Sequence, residues 1–169
     1  MSWTNADGLV VLFGNEQGQL GRAGEYNLLG DMHKTQVIID LTDLTTAEQI
    51  LSPTVTIPNG AVIMQVDVIV DEVATSASST ANLDLGLIDQ DRTTELDYNG
   101  LLAVADVWLG SAIGTKTEYV VGTTEVGALV GTTLTNTGLL TASYDTDAYT
   151  AGEIIVDIYW YMPQTVPNL

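Results

Sequence analysis

The sequence predicts an all-β protein: a two-sheet antiparallel sandwich, jelly-roll-like, with one short crossover helix and an N-terminal arm. Three alternating runs carry that expectation. Val62, Met64, Val66, Val68 and Val70 are all apolar, while Gln65, Asp67 and Asp71 fall at the odd positions. Alternation of period two belongs to a strand with one face in a core. After a loop of small residues at 74 to 81, the apolar set Ala81, Leu83, Leu85 and Leu87 reads as the return strand. The third run is Glu153 to Met162. Ile154, Val156, Ile158, Trp160 and Met162 face one way, and Ile155, Asp157, Tyr159 and Tyr161 the other. That second face is unusually apolar for one left in water, so cover by a subunit or by the arm is expected.

The remaining elements follow in chain order. Leu9 to Phe13 is an apolar run ending at Gly14 and reads as a first strand. Residues 14 to 35 carry Gly14, Gly18, Gly21, Gly24 and Gly30 with little periodicity, and read as a long arm. A structureless segment of that length inside a compact domain is usually functional or disordered. It holds Arg22, His33 and Lys34, three of the chain's five potential cations. Val37, Ile39 and Leu41 alternate with Gln36, Asp40 and Thr42 as a strand. Thr45 to Leu51 is predicted to make one helical turn, with Thr45 as N-cap and Glu48 completing a capping box. Pro53 and Pro58 punctuate the approach to the long strand. Asp89 to Asp97 is a polar loop.

Tyr98 to Leu109 is the predicted crossover helix. Leu101, Leu102, Ala105, Trp108 and Leu109 follow helical spacing, and Gly110 sits where a C-terminal glycine belongs. Its stripe is expected to cover an open end of the sandwich. Tyr119 to Val121 and Val126 to Val130 read as short strands broken by Gly122, Gly127 and Gly131, Thr132 to Thr141 as weakly alternating, and Ala148 to Gly152 as a turn. The expected organisation is a strand and Gly-rich arm over 1–35 and the sandwich over 36–169, in a single globular domain. A length of 169 residues suits one domain.

Composition removes several function classes. The net charge is −18, from 22 acids against 4 bases, with the acids dispersed along the chain. Nucleic-acid binding needs clustered Lys and Arg, so it is not expected. Anionic membrane surfaces are disfavoured for the same reason, and no apolar run approaches the ~20 residues of a helical span. The N-terminus has neither the basic nor the apolar region of a secretory signal, so synthesis in a cytoplasm is expected. The chain has no cysteine, which removes disulfides, thiolate catalysis and zinc–thiolate sites.

Candidate sites are few. His33 is the single histidine; it lies in the arm, no G-x-S-x-G motif accompanies it, and a solvent or interface role is expected. Asp84, Asp89, Asp91, Glu95 and Asp97 are dense enough in hard oxygens for Ca²⁺. Thr94 and Gly100 stand where an EF-hand needs its glycine and bidentate Glu, so a solvated loop is expected instead. Asp145-Thr146-Asp147 is weaker still. Tyr144, Tyr149, Tyr159, Trp160 and Tyr161 could form a sugar-stacking platform, but aromatics at a strand end more often serve core and interface. Phosphate-loop motifs are absent. No enzyme activity, metal or cofactor is expected.

Several segments together resemble a known group. They are Ile57-Pro58-Asn59-Gly60-Ala61-Val62-Ile63 leading into the long strand, the Thr/Ser/Ala loop, Leu83-Asp84-Leu85-Gly86-Leu87, Asp97-Tyr98-Asn99-Gly100-Leu101-Leu102, and Thr150-Ala151-Gly152-Glu153-Ile154-Ile155-Val156. Over roughly residues 53 to 162 the chain resembles small structural proteins of tailed-phage virions, of the head-decoration or cement type. The resemblance implies a non-enzymatic subunit on the capsid surface, stabilising the head through contacts with itself, as a homotrimer, and with the major capsid protein or other virion proteins. The interface residues expected are Arg22, His33, Lys34, Tyr159 and Tyr161. The competing expectation is a carbohydrate-binding or adhesin module of a tail or fibre.

Overall fold

The structure, a computed structural model, describes residues 2–4, 10–12, 32–78, 81–105 and 109–163. Strands β1 (Ser2–Thr4) and β2 (Val10–Leu12) pair antiparallel as a separate two-stranded unit. The rest of the strands are β3 (His33–Asp40), β4 (Gln49–Ile50), β5 (Thr56–Ile57), β6 (Val62–Ser76), β7 (Leu83–Asp89), β8 (Glu95–Ala105), β9 (Lys116–Val120), β10 (Gly138–Tyr144) and β11 (Tyr149–Tyr161). They form a four-stranded sheet of order β3-β11-β6-β9 and a five-stranded sheet of order β4-β10-β7-β8, with β5 also pairing β10. If β4 and β5 count as one interrupted strand, the chain alternates between sheets except at the β7–β8 hairpin. First strand β3 ends beside last strand β11. That is the double Greek-key winding of a jelly roll, as the sequence predicts.

Each alternating run places most of its apolar set between the sheets. Val66, Val68, Val70, Ile154, Val156 and Ile158 come from one sheet and Leu83, Leu85, Leu87, Leu140 and Ala142 from the other, in a single buried cluster. The phase of β6 changes near its start, and its pairing with β11 is irregular again between Val70 and Ser76. Gln65 pairs Tyr159 and Ile63 pairs Trp160, so β6 spends one more residue than β11 there. The extra residue is Met64, and this bulge turns it outward. Ile63 is 0% exposed and Met64 41%, the reverse of what unbroken alternation predicts.

The predicted crossover helix is not formed. Residues 95 to 105 are β8, and 106 to 108 lie outside the described residues. Both edges of β8 are taken: β7 lies on one side, and residues 125 to 129 on the other through Ala103 N–H to the Glu125 carbonyl, Gly127 N–H to Leu101 and Leu129 N–H to Gly100. Leu102 faces Leu85 and Asp97 faces Leu87, so β8 takes five steps where β7 takes two. These irregularities bury adjacent Leu101 and Leu102 together, which mimics helical spacing. Gly127 is required here, because a Cβ on it would lie 2.1 Å from the Gly100 carbonyl carbon. Val126 to Val130 is correspondingly a strapping loop, contributing single bridges to Leu102 and Ile63 in place of the expected strand.

The helical turn expected at Thr45 to Leu51 is also absent. A 3-10 turn, Leu41–Asp43, comes earlier and is capped by Asp40, whose carboxylate accepts from the Thr42 N–H. Thr45 instead accepts from the Ala47 N–H, and Gln49–Ile50 is β4. Glu48 is drawn across to β10, where the Ser143 hydroxyl donates to it at 2.7 Å. The arm ends earlier than expected: His33, Lys34 and Thr35 belong to β3, and residues 13 to 31 lie outside the described residues.

The bulge yields a direct test. Val66→Asp and Ile63→Asp each bury an unpaired charge, a cost of several kcal/mol that rivals the whole stability of a domain. Both variants should be insoluble or unfolded, while Met64→Asp should keep the wild-type circular dichroism and melting temperature.

Candidate functional site

The predicted interface residues converge on the sheet β3-β11-β6-β9. Lys34 on β3 lies directly opposite Tyr159 on β11, and His33 opposite Trp160. Tyr161 lies opposite Val62 on β6. Arg22 is outside the described residues. By alternation Lys34, Tyr159 and Tyr161 point away from the second sheet. His33 sits on the core-facing side at the end of β3, stacked on Trp160 with ring centroids 4.4 Å apart and an interplanar angle of 19°. Trp160 Nε1–H donates to Thr35 Oγ1 at 2.9 Å, fixing the ring beneath it. His33 is therefore part of a strand-end stack and not of a free arm.

Register builds a polar row across the outer face of this sheet. Gln36, Asp157, Asp67 and Glu118 lie side by side on the four strands. Asp67 is 0% exposed and Asp157 5%, although neither faces the core. Like charges directly opposite on neighbouring strands repel. Here each carboxylate is neutralised. Lys34 Nζ lies 2.9 Å from Asp157 Oδ2, and Gln36 Nε2–H donates to Asp157 Oδ1 at 2.7 Å. Lys116 Nζ lies 2.8 Å from Asp67 Oδ2 and 2.8 Å from Glu118 Oε1, while Gln65 Nε2–H donates to Asp67 Oδ1.

These hydrogen bonds raise both lysines above their ordinary range, Lys34 chiefly through Asp157, and Lys116 chiefly through Asp67 and then Glu118. The row is thus internally paired. The oxygens of both buried carboxylates are taken up by lysine and glutamine side chains within the same sheet. Beside the row stand Ile38, 58% exposed, and half-buried Ile69 and Ile155. Sequence reading missed Asp67, Lys116, Gln36 and Gln65 as a unit. Mid-strand acids in an apolar run were the available signal, but their partners appear only once the register is known.

The other candidates disperse. The Asp91 carboxylate closes its own loop, accepting from the Thr94 hydroxyl and from the N–H groups of Thr93 and Thr94. Asp89 accepts from the Asp91 N–H and from the Asn136 amide. Among the described residues no group of three metal-ligating side chains could hold an ion. The five aromatics do not share a platform. Tyr149 is buried and Tyr144 and Trp160 pack against the core, whereas Tyr159 and Tyr161 lie on the outer face.

No protein-family model matches the chain, and no curated protein does. Solved structures do. A chain of the cyanophage Pam1 capsid asymmetric unit is 19% identical with a TM-score of 0.53, the match covering 89% of this chain and 98% of that one. The capsid of Ralstonia phage GP4 contains a chain 23% identical with a TM-score of 0.49, over 89% and 95% of the two chains. The acidic stable capsid of Helicobacter pylori bacteriophage KHP30 gives 16% identity and a TM-score of 0.49, over 82% and 93%. The Pam1 likeness extends through nearly the whole of both chains, so this jelly roll is a fold that a phage capsid contains.

The polar row and the scattered acids each generate a measurable outcome. Lys116→Ala leaves Asp67 buried without its cation and should lower the melting temperature. Adding Asp67→Asn should recover part of that loss, because the uncompensated charge is then gone. A double-mutant cycle by thermal denaturation checks both.

The pH profile should be humped. Glu48 is raised by burial, with repulsion from Asp84 and Glu95 adding to it, and Glu153 is raised by Asp71 together with Asp40 and Glu72. Groups whose folded state holds the proton more tightly make folding more favourable as pH falls toward the ordinary carboxylate value of about 4. Asp91 is lowered to about 2 by the Thr94 hydroxyl and the N–H groups of Thr93 and Thr94, and Asp40 is lowered by Thr42. Their contribution is complete above about pH 4 and is lost as pH falls through their depressed values. The melting temperature should therefore rise on mild acidification from pH 8 and fall between about pH 4 and 2, with Glu48→Gln reducing the rise.

Proposed function

We propose that this chain is a structural protein of a tailed-phage virion, and specifically a decoration or cement subunit on the capsid surface that acts as a homotrimer. The observation that carries the proposal is the jelly roll itself, matched over 98% of a chain in a phage capsid asymmetric unit. The outer face of the four-stranded sheet supports it. Its buried ionisable groups are paired off, and Ile38, Tyr159 and Tyr161 are left for contact with a neighbour. Such a face offers a firm surface for protein contact and no visible chemistry for turnover. The net charge of −18 keeps the unassembled subunit soluble and apart from nucleic acid. The partners proposed are a major capsid protein and further copies of this chain.

Purified protein added to phage heads that lack it should co-sediment at a saturable, fixed ratio and should raise the temperature at which the heads disrupt. Arg22→Glu should weaken that binding more at low salt than at high salt, because exposed charge pairs are screened within about 10 Å at 0.1 M salt. Heads that neither bind the protein nor gain stability would refute the decoration role. Specific binding on a glycan array would instead favour a tail or fibre module.

A further inference from the structure

We propose that the β1–β2 hairpin of one copy docks on the open edge of β3 of a second copy, adding strands to its four-stranded sheet. The contact deepens the homo-oligomer part of the reading above. Two unsatisfied features in the same protomer motivate it.

The first is the hairpin. β1 and β2 pair with each other, Trp3 opposite Val11, and among the described residues they join neither sheet of the sandwich. A lone two-stranded hairpin is marginal in water and needs a third strand or a packing surface. Its strands are Ser2-Trp3-Thr4 and Val10-Val11-Leu12, uncharged and rich in residues that favour extended chain.

The second feature is the β3 edge. β3 runs for eight residues and pairs β11 along one side. Among the described residues, no further backbone hydrogen bond involves residues 33 to 40. The other long edge, β8, is covered by residues 125 to 129, while β4 and β5 are two residues each. β9 is five residues long, and its Lys116 is committed to Asp67 and Glu118. Proteins usually guard a long edge with an outward lysine or a proline. β3 has no proline, and its one lysine is drawn onto the sheet face by Asp157. Ile38 on that edge strand is 58% exposed and Met32 just before it 56%.

A strand edge recognises extended backbone through its N–H and carbonyl groups, and apolar neighbours supply the side-chain contact. The hairpin has that chemistry and is present on every copy. The twenty residues from 13 to 32 can span at most roughly 70 Å, against a domain diameter of roughly 40 Å. They are therefore long enough to reach a neighbour. The hairpin of one copy and the β3 of the next are different surfaces, so the contact closes either by two-fold exchange of hairpins or as a head-to-tail ring.

The test uses the isolated 169-residue chain, so its failure leaves capsid binding to be judged separately. Wild type at about 100 µM should sediment as an oligomer. Ile38→Lys, which charges the edge, and Val11→Pro, which removes a hairpin N–H, should each convert it to monomer with unchanged circular dichroism. Val121→Lys, at an exposed apolar position away from β3, should leave the oligomer intact. The chain has no cysteine, so Val11→Cys and Ile38→Cys chains can be mixed with a short bismaleimide. The mixture should give chain-to-chain adducts far in excess of either variant alone. A monomeric wild type, an oligomer indifferent to both Ile38→Lys and Val11→Pro, or no excess of adducts in the mixture would overturn the proposal.

Discussion

The structure depends on the insertion of β11 between β3 and β6. β11 is the last strand and β3 the first of the sandwich, so this pairing joins segments more than a hundred residues apart. It completes the apolar layer, because Ile154, Val156 and Ile158 lie opposite Val70, Val68 and Val66. It also closes the four-stranded sheet, since β3 meets that sheet through β11 alone. Gly152 permits the start of this strand. Its φ is +130°, and a Cβ there would come within 2.7 Å of the Ala74 Cα. The same insertion sets the outer face: the core register of β11 places Asp157 opposite Asp67 on one side and Gln36 on the other.

That outer row shows how a sheet face can be polar and closed at once. Two carboxylates on adjacent strands are a repulsive pair in isolation. Placing Lys34 on one flanking strand and Lys116 on the other gives each of the two carboxylates its own cation and offsets the repulsion between them. The two glutamine amides engage the remaining carboxylate oxygens. Because the carboxylates are almost fully buried, their desolvation would be costly without every one of these partners. Two of the chain's four Lys and Arg residues are used here, so the row governs much of where positive charge sits in a chain of net charge −18.

The two faces of the same sheet therefore have different physics. The inner face is held by burial and is indifferent to pH and salt to first order. The outer face is held by paired charge beside exposed Ile38 and half-buried tyrosines, and among the described residues no strand pairs the second edge of β3. A fold already stabilised by its core can leave such a surface to recognition.

The sequence by itself determined the jelly roll's class and its principal strands. Alternation in Val62 to Val70, Ala81 to Leu87 and Glu153 to Met162 is a local property of a half-buried strand, readable without knowing its partner. It also brought Lys34, Tyr159 and Tyr161 to notice, through the excess apolar character of one strand face and the scarcity of cations. Tertiary structure decided the rest. The Tyr98 to Leu109 segment has helical spacing, yet β7 and residues 125 to 129 claim both edges of Glu95–Ala105 and impose a strand. Met64 is apolar and in phase, yet a bulge opposite Tyr159 and Trp160 turns it outward. Asp67, Asp157, Lys34 and Lys116 lie far apart in the chain and become one unit only through cross-strand register. Periodicity encodes which face of a strand is buried, whereas register and edge cover are properties of pairs of strands and are fixed only when the sheets assemble.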